Sequence, residues 1–299
     1  MPSLRELRRK IRSVKSTEQI TKAMKMVAAA RMRRSQAAIL AARPFAVKME
    51  ELVRGLAGLE EAEAAAEERA ARLHPFFAAR PDGAEALILV TADKGLCGAF
   101  NSNLLRAAAG WLRERPGRKS YVAVVGRKGR DFIRRLRGSE CEVIAELAGI
   151  FPKASFVHAE LLGKAVVEAY NGKGLSSVTV IYNEFKSVVS QRLLRARLLP
   201  IPPFEPGRSP GPLAGVSFEP DRERLLDALL SRYLKAQLYR ILLESQAAEL
   251  AARMNAMEAA SKKAKELREA LNLSLNRQRQ AIITKEIAEL VGGAEALAA

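Results

Sequence analysis

Two glycine-bearing segments hold the residues best placed for chemistry. TADKGLCGAFN, residues 91–101, follows a β-prone run and precedes a helical one, the place where amides at a helix start can receive a phosphate. Its glycines are Gly95 and Gly98, and no Lys-Ser or Lys-Thr follows them. It therefore matches neither G-x-x-x-x-G-K-[ST] nor G-x-G-x-x-G. A tight strand-to-helix turn that needs glycine torsions competes with a nucleotide site. GRKGRDF, residues 126–132, has the same placement and a weaker pattern. No Ser-His-Asp set and no carboxylate pair in a cleft is readable, which argues against an enzyme.

Cys97 and Cys141 stand singly, without C-x-x-C spacing, and read as buried free thiols in a reducing compartment. His74 and His158 have no Cys, Glu or His at ligand spacing, so neither a metal nor another cofactor is expected. The net charge of +17 requires an acidic partner: nucleic acid, an anionic membrane surface or acidic protein loops. Arg5, Arg8, Arg9, Lys10, Arg12 and Lys15 are not followed by an apolar h-region, which argues against a secretory signal. No eighteen-residue apolar run occurs, so no transmembrane helix is expected. A cytosolic protein, or one peripheral on the cytosolic side of a membrane, follows.

The elements that must carry these segments are unequal. Residues 3–43 and 221–291 lack glycine and proline and are rich in Ala, Leu, Arg, Lys, Glu and Gln, so each reads as one long helix. At 1.5 Å per residue the second could run roughly 100 Å. Leu4, Leu7, Ile11 and Val14, then Ile20, Met24, Val27, Ala28 and Met32, form an apolar stripe with a small phase shift. Ser16 and Gln19 could restart the helix with a capping box, but the pattern on both sides favours continuity. Leu267, Leu271, Ser274, Leu275, Gln278 and Ile282 repeat similarly near the other end. Alanines at 28–30, 37–42 and 247–260 permit close helix approach, and an antiparallel two-helix coiled coil follows.

Between the helices, β-rich runs at 85–91, 120–126, 141–147 and 177–185 alternate with helical patterns at 101–114, 128–136 and 155–170. That alternation predicts a small, Rossmann-like α/β domain with a largely parallel sheet, inserted between the coiled-coil helices. Residues 188–199 carry Gln191, Arg192, Arg195 and Arg197, as an edge strand or solvated strand pair would. A proline-rich link ends the domain, and Pro220 and Asp221 suit the opening of the last helix. The division expected is helix 1–56, connection 57–84, α/β domain 85–199, linker 200–219 and helix 220–299. Residues 57–71 read equally as helix extension or mobile connection.

STEQITKAMKMVAAARMRRSQ (16–36), TADKGLCGAFN and NRQRQAIITKEIAELVGGA (276–294) closely resemble the three signature stretches of the γ subunit of F-type ATP synthase. The resemblance covers essentially the whole chain. Leu275, Lys263 and Gln278 stand where family members often carry Tyr, Asn and Ala, and the regulatory cysteine insert of chloroplast relatives is missing. The resemblance implies a non-catalytic rotor turning inside an α3β3 hexamer, with the α/β domain meeting the ε subunit and the c-ring at the cytoplasmic face of the bacterial plasma membrane. It implies that Met24, with Lys22 and Lys25, meets an acidic β-subunit lever loop. Arg279, Gln280 and Thr284 match a catch against a β loop, and Ile282, Ile283, Ile287, Leu290 and Val291 match an apolar bearing. A basic coiled-coil nucleic-acid-binding protein is the competing reading, weakened by only 5% aromatic residues.

Overall fold

A computed structural model of the chain describes residues 3–61, 74–77, 80, 82–136, 141–151, 153–201 and 222–298. The elements are α1 (Leu4–Glu61), β1 (Glu85–Val90), α2 (Phe100–Arg113), β2 (Ser120–Val125), α3 (Arg127–Arg135), β3 (Cys141–Leu147), α4 (Phe156–Gly172), β4 (Ser177–Phe185), β5 (Gln191–Leu199) and α5 (Arg222–Ala298). Contacts divide the chain into two units. One joins Met1–Ala28 to Arg253–Ala299, and the other is Ala29–Ala252.

In the sheet-bearing unit the strand order is β3-β2-β1-β4-β5. β1 to β4 run parallel and β5 pairs antiparallel with β4 at the edge. The β1 and β2 runs are almost wholly apolar, and β4 buries its middle residues, because both faces are covered. On one face Leu87, Leu89, Val122, Val124 and Ile181 meet Leu104 and Trp111 of α2 and Ile133 of α3. On the other, Ile88, Val90, Ala123, Val125 and Val180 meet Leu162 and Val166 of α4 and Leu230, Leu234 and Leu238 of α5. The edge strand β5 turns Arg192, Arg195 and Arg197 outward, as its sequence pattern predicts. Within this unit α1 and α5 also touch through polar groups: Gln246 Nε2 donates to Ser35 Oγ at 3.3 Å, and its Oε1 accepts from Ala154 N at 3.0 Å.

α1 begins at a reciprocal cap. Glu6 N donates to Ser3 Oγ at 3.3 Å and Ser3 N to Glu6 Oε2 at 3.0 Å. Ser16 and Gln19 interrupt nothing, so the continuous reading holds. The helix accepts Pro44 at an exposed position and runs on to Glu61, so helix extension is correct at least that far. Residues 62–71, the proline-rich link from 202, Pro220 and Asp221 lie outside the described residues.

The unit made from the chain's two ends is a helix pair. Lys25 with Glu258 and Glu18 with Arg268 fix an antiparallel register. Its seam differs from the expected stripe. Leu4, Leu7, Ile11, Val14, Glu18, Thr21, Met24, Lys25 and Ala28 are the buried or half-buried positions on α1, and all but Leu4 and Met24 fall in four-three alternation, while Ile20 and Val27 are exposed at 56% and 50%. No phase shift exists, because the heptad runs straight through three polar residues. On α5 the matching positions are Met257, Ser261, Ala264, Arg268, Leu271, Leu275 and Gln278, and Leu267 and Ser274 point to solvent.

Candidate functional site

Asp93 organises the glycine loop. Its Oδ1 accepts from Arg127 N at 3.0 Å and Gly149 N at 2.8 Å, and its Oδ2 from Phe151 N at 3.0 Å. One carboxylate thus sits at the α3 N-terminus and ties together the segments after β1, β2 and β3. That is where a bound anion would be favoured. Asn101 closes the loop: its Oδ1 accepts from Ala92 N at 3.0 Å and its Nδ2 donates to Lys94 O at 3.2 Å. Thr91 Oγ1 donates to Val125 O at 3.0 Å and accepts from Gly129 N at 2.8 Å. Gly126, with φ of +91°, lies so close that a Cβ would come within 2.2 Å of Thr91 O. The turn is a structural lock that supplies its own anion.

The remaining chemistry-bearing residues are also structural. His158 Nδ1 accepts from Ser155 N at 3.0 Å in the capping box of α4. His74 meets Asp227 at 3.0 Å and its Nδ1 accepts from Phe76 N at 3.1 Å. Cys97 is buried, whereas Cys141 is half-buried, and burial pushes its thiol above the ordinary range. Among the described residues no group of three or more His, Cys, Asp or Glu could hold a metal, and no helix is long and apolar enough to cross a membrane.

The contact residues expected from sequence fall into two groups on the helix pair. Lys22 is exposed, and Met24 and Lys25 are half-buried beside one another on α1. Lys25 Nζ donates to Glu258 Oε1 at 2.6 Å, an intrachain partner that the sequence pattern does not announce. Arg279, Gln280, Thr284, Ile287 and Leu290 are all exposed on the last turns of α5. The groups are separated along the axis by about 30 Å, taking 1.5 Å for each residue between Glu258 and Arg279. They do not form one site.

Continuing the register places the start of α1 opposite α5 near residue 280, on the order of one turn before the isoleucines. Every described side chain from Arg279 to Ala294 is exposed. Ile282, Ile283, Ile287, Leu290 and Val291 are 37 to 73% exposed. Contiguous apolar surface of this kind marks a contact face. Arg5, Arg8, Arg9, Lys10, Arg12 and Lys15 are exposed on the first turns of α1.

Carboxylates in the sheet-bearing unit respond oppositely to their surroundings. Burial acts to raise Glu85, but Arg115, 2.7 Å away, and Ser177 overcome it and hold the carboxyl below its usual value. Burial raises Glu244; the attraction of Arg240 and a hydrogen bond with Tyr182 only partly offset it, and Glu184 adds repulsion. The Tyr182 phenol beside it is also pushed up by burial and by Glu244.

Fold and surface define a class: a coiled-coil protein with a doubly wound α/β sheet inserted between its helices and a bare apolar end. A family model described as ATP synthase matches residues 3–297. The ATP synthase gamma chain of Elusimicrobium minutum is 43% identical over 99% of this chain and 99% of its own length. That of Anaeromyxobacter sp. (strain K) is 44% identical over 99% of this chain and all of its own. A chain from the central stalk and c-ring of Tetrahymena thermophila mitochondrial ATP synthase is similar in structure, with a TM-score of 0.61 and 26% identity over 81% of this chain and 99% of that one. A chain of the Euglena gracilis mitochondrial ATP synthase shares the fold at a TM-score of 0.64 and 19% identity, covering 98% of this chain and 94% of that one. The chain belongs to the ATP synthase gamma chain family.

Proposed function

We propose that this chain is the central-stalk rotor of a bacterial F1 sector, transmitting torque between a proton-driven c-ring and catalytic β subunits, and performing no bond chemistry itself. The exposed apolar turn from Ile282 to Val291 carries the reading. Left in water these residues lose about 25 cal/mol per Å² of apolar surface that a surrounding collar would bury. In this role Ile287 and Leu290 run within an apolar bearing of the α3β3 hexamer. Arg279, Gln280 and Thr284 engage a β-subunit loop. Met24 and Lys22 meet an acidic β loop, with Lys25 shared between that loop and Glu258. The sheet-bearing unit contacts ε and the c-ring, which makes the protein peripheral on the cytoplasmic face of the plasma membrane. Its partners are proteins rather than nucleic acid.

A rotor needs register more than affinity between its two helices, and polar seam pairs such as Glu18 with Arg268 supply register. Torque then works by favouring a different conformation in each of three equivalent β subunits, which requires contacts that differ among those states. Arg279→Ala combined with Gln280→Ala lowers coupled ATP turnover at least tenfold in the purified complex while α, β and ε still co-purify. Unchanged turnover refutes the catch. Absence of co-purification for the unaltered chain refutes the stalk.

A further inference from the structure

α5 changes character where its partner helix ends. Glu18 with Arg268 and Lys25 with Glu258 set the antiparallel register, so α1, which starts at Leu4, runs out opposite residue 280 or so of α5. Beyond that point α5 continues to Ala298, and its described side chains from Ile282 to Ala294 are all exposed. Within the helix pair nothing packs against them.

The residue types change at the same place. Residues 253–281 contain no Ile, Val, Thr or Gly, whereas Ile282, Ile283, Thr284, Ile287, Val291, Gly292 and Gly293 follow directly. β-Branched side chains lose rotamer freedom in a helix, and glycine loses the most backbone freedom. A Cβ added at Gly292 or Gly293 would meet nothing within 4 Å, so neither glycine is required by a close approach inside the chain. Lys285 and Glu289 pair at 3.4 Å, but both are largely exposed and stand in the cation-first order that supports a helix less. The last turn carries no base to complement the helix dipole. Growth from the paired part of α5 spares this tip a nucleation step, yet each further residue must still favour the helix by itself. These residues do not.

We propose that residues 282–298 form a conditional helix: in the free chain they exchange between helix and coil, and a surrounding protein collar folds them as it covers the apolar stripe. Ordering then accompanies assembly, which lowers the affinity of seating while leaving its specificity to the contacts made. The shaft becomes stiff to its end only once enclosed. That the collar is the α3β3 hexamer rests on the rotor reading; the helix-coil exchange of the free chain does not.

Hydrogen exchange of the full-length chain, read by mass spectrometry where light scattering shows a monomer, tests this. In the free chain, amides at 283–297 exchange within tenfold of the unstructured rate, and those at 257–271 at least a hundredfold more slowly than the tip. In the purified complex with α3β3 the tip slows at least a hundredfold. Gly292→Ala combined with Gly293→Ala slows exchange of the free tip at least threefold. A free tip as protected as residues 257–271, a tip that gains no protection inside the complex, or an unaltered rate in the double variant each overturns the proposal. Failure of the chain to join α3β3 instead refutes the rotor reading, and the free-chain comparison then decides the proposal.

Discussion

The sheet-bearing unit and the helix pair are stabilised by different means. In the first, large side chains such as Trp111, Tyr170, Leu104 and Leu162 are fully buried, and loops are tied by buried hydrogen bonds. In the second, the seam is narrow and mixes Leu, Ile and Val with Ala, Thr, Glu, Lys and Arg, while Ile20, Met26, Val27, Leu267 and Leu273 face outward. A sheet packed on both faces specifies one conformation through volume and shape. A seam with charged residues gains less from burial and more from pairing rules, so its helices are held in register and completed by whatever surrounds them.

The largest blow to this contrast comes from the sheet side. Gly126→Val puts a β-branched side chain at positive φ and drives a Cβ into Thr91 O, and it costs more than about 4 kcal/mol, the exceptional end of single substitutions. Chemical denaturation monitored by far-UV circular dichroism checks it, and a loss below about 1 kcal/mol would mean that the lock is soft. Next is Trp111→Ala, a deletion of a fully buried ring, with an expected cost of about 3–5 kcal/mol. Asp93→Ala strands three amides and costs about 2–3 kcal/mol. Amide hydrogen exchange at Arg127, Gly149 and Phe151 rises together if one carboxylate holds all three.

Changes on the helix-pair side are smaller. Arg268→Leu leaves Glu18 in the seam without its cation and costs about 1 kcal/mol, whereas pairing it with Glu18→Leu restores or raises stability. A double-mutant cycle checks this, and additive losses would remove the register role. Lys25→Ala, at a more exposed pair, changes stability by less than about 1 kcal/mol. The pH dependence separates two carboxylates within the sheet-bearing unit. Glu244 has a raised folded value, so the folded state binds its proton more tightly, and its contribution falls as pH rises from the unfolded value through the folded one. Glu244→Gln therefore stabilises the protein at pH 7 and not at pH 4. Glu85 is lowered, so its contribution is present above the unfolded value and lost as pH falls through the folded one, and Glu85→Gln destabilises at pH 7 with the effect vanishing in acid. Denaturant midpoints at the two pH values test both signs.

Most of the fold is legible in residue order because the two periodicities are clean. The runs at 85–91, 120–126, 141–147 and 177–185 each become a strand with ends within one residue of the expected ones. The seam is only half legible. An apolar count draws Ile20, Val27 and Leu267 into the stripe, whereas the seam runs through Glu18, Thr21, Lys25 and Arg268; heptads counted onward from Leu7 and Ile11 reach the three polar positions on α1. Asp93 was hidden for another reason: its three donors come from loops 34, 56 and 58 residues away. Lys22, Met24 and the residues from Arg279 to Leu290 come from the family resemblance, and no spacing rule would single them out.

The carboxylate that closes the three strand-end loops has a physiological corollary. A sheet whose amide nest is permanently plugged by a tethered side chain gives adenylates no purchase there. Such a sheet is blind, at this position, to the energy charge of the cell.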